Sequence, residues 1–582
     1  MPDCPFNPAA ENIADLIYRF GSLQSERWNN TSSLCADYVS SDYIILHMPL
    51  TPDAVSMRVH PYYMIPSLFS PLDYNAMEAS GILSAFNSPA LNNQGKGVLI
   101  GLVDTGIDYR SPLFQNPDGT TRIAGIWDQS VPIEEDVLPA GVPDYYPMGG
   151  SSYGTEYTRE QINEALASDD PLSLVPTQDT IGHGTFLAGL SAGSSIPQED
   201  FTGAAPEAEL AVVKLKPAKK YLRDFYLIPS DAPAFQENDI MMGIKYLRMM
   251  ADRLKKPLVI LLAMGSNSGS HIGTSPLSQV TQNYSGFFGI ITVIACGNET
   301  GAAHHFYASI PAGTEYEDVE IRVGKEEAER GFVLELWAAD ADTYTVGFIS
   351  PSGERISRIP IIANNETSIP FLLDATTITV NYQLIEAESG SQLIFMRFQT
   401  PAAGIWTVRV YNTQRFKGTF NMWLPVQGMI SEETVFLRPD PYSTITVPGN
   451  SRLPITVGAY DTSTGGIYIH SSRGFTPNQI VKPELAAPGV NILGPSVGRK
   501  PGSDTPMTTR TGTSAAAAIT AGAAANLLGW GIVEGNYPTM SEASVKSYLI
   551  RGAQRNPALT YPNREFGYGT LDLFQTFLRL RE

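Results

Sequence analysis

Four continuous apolar runs limit what this chain can fold into: GVLIGLVD (residues 97–104), AELAVVKL (208–215), PLVILLAM (257–264) and GIITVIAC (289–296). Each has the length of one strand and none alternates with polar residues, as expected for strands buried on both faces. Helical patterns separate them. NDIMMGIKYLRMMADRLKK (238–256) and SPLSQVTQNYSGFFG (275–289) place apolar residues at helical spacing. Buried strands alternating with helices predict an α/β domain, a mostly parallel sheet with helices on both faces.

The texture changes after Thr300. Between about residues 306 and 425 come short segments such as YEDVEIRVG, GFVLELWAAD, YTVGFISPSG and GIWTVRVYN, separated by turn residues. They predict an inserted all-β domain, a sandwich or jelly roll, with Trp406 and the other aromatic residues in its core. The α/β pattern resumes at SRLPITVGAYD. The expected organisation is an N-terminal segment over 1–75, an α/β part over 76–303, the β insertion over 304–440, and a second α/β part over 441–582. The N-terminal segment is less regular, with DYIILHMPL as a strand candidate.

Composition excludes some partners. A formal net charge of −20 disfavours nucleic acid and anionic membrane surfaces, which need clustered Lys and Arg. Three cysteines (Cys4, Cys35 and Cys296) make no disulfide framework. Cys296, at a buried strand end, reads as a small hydrophobe. The first residues lack the basic and apolar regions of a secretory signal, and no uninterrupted apolar run reaches membrane-span length. A soluble protein made without export is expected.

Four residues stand where a parallel sheet builds its sites. Asp104 ends the first run, in LVDTGID. An aspartic-protease reading of Asp-Thr-Gly fails, because there is no second copy and the texture is wrong. His183 lies in DTIGHGTFLAGLSAG, flanked by Gly182 and Gly184 and followed by a helix of small residues. Asn298 follows a buried strand, in VIACGNETG; Ser514 opens a helix, in RTGTSAAAAITAG. Singly, Asp104 is a strand-to-turn junction, Asn298 a turn residue and Ser514 a helix cap. Together they supply a nucleophile, a base, a carboxylate to orient it, and donors for an oxyanion at a helix N-terminus.

The segments LVDTGID, GHGTFLAG, ACGNETG and GTSAAAAITAG resemble the four active-site motifs of the subtilases, the subtilisin-like serine proteases. GAAPEAELAVVKL, SSRGFTPNQIVKPELAAPGVNI and GYGTLDL are similar to further family segments. The resemblance implies a serine endopeptidase acting through an acyl-enzyme. Ser514 would be the nucleophile, His183 the general base and then acid, and Asp104 the group that orients and stabilises the imidazole. Asn298 and the Ser514 N–H would form the oxyanion hole. LLAMGSNSG resembles the family strand that pairs with substrate backbone, so Ala263, Met264 and Gly265 would bind the peptide or protein substrate, with Gly265 leaving room for a side chain. No cofactor is required for this chemistry; structural calcium is common in the family, but no oxygen-ligand cluster stands out here.

The β insertion and the stretch GKGVLIGLVDTGIDYRSPLFQNPDGTTRIAGIWDQS look like the clostridial germination-specific Csp proteases and related gut-bacterial subtilases. That resemblance implies limited proteolysis of a precursor, such as a spore cortex hydrolase, by a cytoplasmic or spore-associated protein. The alternative is a catalytically silent subtilase-fold binding or signalling protein, from which the intact Asp104, His183 and Ser514 argue away. Ala518 stands where the family usually has proline, in a first helical turn that accepts either. The N-terminal segment matches the family's propeptide poorly; it reads either as a shortened propeptide that would associate with the rest of the chain and be cut between about residues 50 and 85, or as a remnant that stays attached.

Overall fold

The computed structural model describes residues 13–19, 36–38, 43–49, 74–132, 154–339, 341–362, 366–386, 389–498 and 505–580. The chain divides into two compact units, Met1–Pro71 and Leu72–Glu582. In the first, the strand Tyr43–Pro49 lies between Ile13–Arg19 and Ala36–Tyr38, antiparallel to both. It coincides with the strand expected from DYIILHMPL. Cys4 and Cys35 lie outside the described residues, as does most of the expected cleavage window.

The second unit is built on an 8-stranded sheet. Its spatial order is Leu485–Pro488, Ile455–Tyr460, Ile290–Ala295, Leu258–Leu262, Leu99–Asp104, Glu209–Lys214, Ile123–Asp128 and Thr155–Thr158. All neighbours are parallel except the last pair, Ile123–Asp128 with Thr155–Thr158, which is antiparallel. The four apolar runs supply the four adjacent central strands. Their unbroken hydrophobicity has a direct cause. In the Asp104 strand, Ile100 and Leu102 pack into the core that holds the helices His183–Ala192 and Thr513–Leu528, while Leu99 and Val103 pack against the helix Glu237–Leu254 on the other face. Burying each such side chain stabilises the fold by about 1.5–3 kcal/mol.

The helix Thr513–Leu528, expected from RTGTSAAAAITAG, continues to Val533. Its 21 residues are long and apolar enough to cross a membrane by composition, but 83% of the apolar window is buried inside the unit. Its alanines let it pack closely, with Ala515 to Ala518 all buried. Ala518 therefore sits at a fully buried helical position, where it breaks no backbone hydrogen bond.

The insertion comprises two antiparallel sheets, of 6 and 5 strands, running from His305 to Phe436. Their facing sides share one core, in which Trp406 is fully buried and meets Phe371 and Phe398 edge-on. Glu299, one residue past Asn298, ties the insertion to the α/β core. Its carboxylate accepts from Asn267 Nδ2 at 3.0 Å and the Gln427 N–H at 3.2 Å, and lies 3.2 Å from His304 Nδ1.

Candidate active site

Asp104 ends its strand almost fully buried, and both of its carboxylate oxygens face His183 Nδ1, at 2.8 and 3.0 Å. Oδ1 also accepts the Thr105 N–H at 2.7 Å. This geometry places a proton on Nδ1 and leaves Nε2 as the basic nitrogen. His183 is the first residue of its helix, and Gly182 precedes it in the left-handed region with φ 77°. Gly184 is required by close approach: a Cβ there would lie 2.1 Å from the Gly106 carbonyl oxygen. The His183 helix can therefore sit directly on the turn that carries Asp104.

The sequence reading missed Asp179. This buried carboxylate accepts the N–H groups of Ile181, Gly182 and Thr185 and the hydroxyls of Thr105 and Thr185, at 2.7–3.2 Å. The Thr105 hydroxyl in turn accepts the Gly184 N–H at 3.0 Å. Asp179 thus joins the loop before His183 to the residue after Asp104. Its signal was an Asp in a turn sequence, Asp-Thr-Ile-Gly, whose side chain can hold the following N–H groups.

Ser514 is not the helix cap that its position suggested. Gly512 is the N-cap, without a side-chain cap bond, and Ser514 lies inside the first turn, partly exposed. The capping work is done across the site. Asn298 Oδ1 accepts the Thr513 N–H at 3.0 Å, and the Thr513 hydroxyl accepts the Gly297 N–H at 3.2 Å. The Ser514 hydroxyl makes no cap bond, and its N–H, in the first turn, has no intrahelical acceptor. The strand leading into Ser514 also reaches the histidine loop. Arg510 Nη2 donates to the Ile181 carbonyl at 3.4 Å, and its guanidinium lies 5.4 Å from the Phe186 ring centre.

Burial pulls the His183 pKa down, but the Asp104 carboxylate and its hydrogen bond outweigh that, so the net shift is upward from 6.5; Arg510 opposes the rise and Asp179 assists it. An imidazolium at this position would be stabilised by the Asp104 carboxylate. Cys296, two residues before Asn298, is a free, fully buried thiol whose pKa burial pushes up to about 12. That is the inert hydrophobe expected of it. Among the described residues no group of three or more His, Cys, Asp and Glu is placed to hold a metal ion.

Ala263, Met264 and Gly265 continue from the strand Leu258–Leu262, and Ser266 then pairs with Val447 in an antiparallel bridge. Met264 and Gly265 line a groove of about 980 Å³, whereas Ala263 packs against the core. The expected room at Gly265 differs. A Cβ there would come 2.4 Å from Thr446 Oγ1, so the space on that side is filled by the neighbouring segment and not left to substrate.

The profile of the subtilase family matches residues 95–349 and 438–569, on both sides of most of the insertion. Among curated proteins, the chain is 23% identical over 485 residues to the subtilisin-like protease SBT3.12 of Arabidopsis thaliana, covering 81% of this chain and 59% of the relative. It is 23% identical over 545 residues to SBT3.5 of the same plant, covering 87% and 64%. The chain thus spans about three fifths of the length of these curated relatives. Among solved structures, it is similar to the CspB protease of Clostridium perfringens, with a TM-score of 0.75, 30% identity, and coverage of 88% of this chain and 98% of that one.

Proposed function

The chain belongs to the subtilase family, and on that premise we propose that it is an active serine endopeptidase rather than a silent relative. The observation that carries this reading is the pairing of His183 Nδ1 with both Asp104 oxygens, which holds the imidazole in the tautomer that leaves Nε2 basic. In the proposed mechanism Ser514 Oγ attacks the scissile carbonyl and its proton passes to His183 Nε2. Asp104 stabilises the resulting imidazolium. The carbonyl oxygen, now negative, takes the Ser514 N–H and Asn298 Nδ2 as donors. Collapse of the tetrahedral adduct breaks the C–N bond, with the proton passing from His183 to the leaving amine. Water then repeats the sequence on the acyl-enzyme.

The similarity to the CspB protease supports a finer reading: limited cleavage of a precursor protein, with a spore cortex hydrolase as the substrate class and the cytoplasm or spore as the setting. A fluorophosphonate probe tests the chemistry directly. It should label the wild type and not Ser514→Ala. If neither is labelled, the endopeptidase reading falls and the silent binding protein takes its place.

A further inference from the structure

The geometry points to the inserted β domain as the second wall of the substrate groove, with Glu335 selecting a Lys or Arg side chain of the substrate close to the scissile bond. This rests on the Ser514-dependent cleavage proposed above.

The strand Phe332–Ala338 is buried along its whole length, yet its two faces differ. Leu334 and Leu336 enter the core of the insertion. Val333, Glu335 and Trp337 point the other way, and all three line the groove. Neighbouring strands repeat the division. Ile394 and Met396 are core, while Leu393 and Phe395 line the groove; Ile378 and Val380 are core, while Thr379 and Asn381 line it. Part of that face of the six-stranded sheet therefore lines the groove opposite the α/β domain, and elsewhere it meets that domain, as where Phe395 stacks on Phe225 with ring centres 5.5 Å apart. The facing wall includes Phe235, Met241, Met264 and Gly265. At about 980 Å³ the groove lies at the upper end of the roughly 300–1,000 Å³ usual for ligand sites.

The occupant follows from two observations. The groove is continuous with Met264 and Gly265, the residues that would pair with substrate backbone, so a bound chain would send side chains into it. Glu335 then supplies the chemistry. It is more than nine-tenths buried; one oxygen accepts the Gly269 N–H and Trp337 Nε1–H, both at 2.9 Å, and the Ser268 side chain also hydrogen-bonds the carboxylate, so its donors are neutral ones. Among the described residues no Lys, Arg or His lies within salt-bridge distance of it. A buried carboxylate without a cation is costly, and a substrate ammonium or guanidinium would supply one. The apolar walls suit the alkyl stem of such a side chain. Arg223 and Arg397 also line the groove but are engaged elsewhere: Arg223 donates to the carbonyls of Ala218 and Ala232, and Arg397 donates to the Asp224 carbonyl and lies 5.4 Å from the Phe225 ring centre.

Digestion of a peptide library by the full chain, read by mass spectrometry, tests this. We expect Lys or Arg enriched at one position near the cut. A synthetic octapeptide carrying that residue should be cleaved about tenfold or more faster, in kcat/KM, than its norleucine counterpart. Glu335→Gln should collapse that ratio while keeping side-chain volume. The exposed Gln383→Lys, on the same sheet face, should reduce it in a salt-sensitive way even if the buried variant folds poorly. An equal loss on both octapeptides in Glu335→Gln would overturn the inference and leave Glu335 a brace for the Gly269 loop. So would a wild type that is labelled by fluorophosphonate yet shows no basic preference. A wild type that is not labelled overturns the cleavage reading and this inference with it.

Discussion

Asn298 Oδ1 accepts the Thr513 N–H at 3.0 Å, one residue before the proposed nucleophile. That bond fixes which way the amide faces: with oxygen toward the helix end, Nδ2 is turned outward as a donor. Asn298 thus caps the Ser514 helix with one end of its side chain and, in the proposed mechanism, would offer the other end to the oxyanion. Asn298→Ala should lower kcat by about 100- to 1000-fold with a much smaller change in KM, because the lost bond strengthens only as negative charge develops. Steady-state kinetics on a peptide substrate check this. A loss expressed mainly in KM would mean that Asn298 binds ground-state substrate instead.

Asp179 gives a different kind of prediction. It touches neither substrate nor reacting atoms, but it gathers five donors from the loops carrying Asp104 and His183. Asp179→Ala leaves buried N–H groups unpaired, at about 1–3 kcal/mol for an unsatisfied group. We expect a clear fall in thermal midpoint together with reduced kcat. Asp179→Asn should be intermediate, since it keeps the volume but turns one acceptor oxygen into a donor facing N–H groups.

The pH profile should carry the mark of His183. Burial alone would lower its pKa, but Asp104 wins and the net shift is upward from 6.5. The base must be neutral to accept the Ser514 proton, so kcat/KM should rise with pH through a midpoint above 6.5. Arg510 pulls that midpoint down. Arg510→Gln should move the acid limb to higher pH, and an unmoved limb would show that another group controls it.

The four central strands were legible because burial on both faces leaves no room for polar alternation, and a run such as PLVILLAM has few other uses. Asp104, His183, Asn298 and Ser514 were legible through their strand ends and helix starts. Asp179 was not. Its importance lies in donors contributed by residues 105 to 185, and one carboxylate in a turn sequence looks like any other. The cap at Ser514 was misread for a related reason: Asn298 and Thr513, 215 residues apart, share the capping between them. The groove was invisible as well. The strand Phe332–Ala338 announces a buried sheet, but which domain covers its second face depends on how the insertion folds back. Gly265 shows the same limit, since Thr446, which fills its open side, comes from beyond the insertion.

Stability should fall in mild acid through the seam between the two domains. His271 is fully buried and stacks on Trp423, the last residue of an insertion strand, with ring centres 4.0 Å apart and planes 5° from parallel. Its nitrogens lie 2.9 Å from the carbonyl oxygens of Ile445 and Asn267. Burial drives its pKa down to about 4, against opposing hydrogen bonds, with a smaller push from His305. Between that value and 6.5 the unfolded chain binds a proton that the folded chain does not. The contribution of neutral His271 is therefore intact above pH 6.5 and declines as pH falls toward 4. At pH 5 this amounts to about 2 kcal/mol. His271→Gln, which removes the titrating group, should lose less stability than the wild type between pH 7.5 and pH 5, by about that amount, in urea unfolding. Equal losses in the two proteins would place the acid sensitivity elsewhere, for example in His305, a buried imidazole whose pKa burial also lowers.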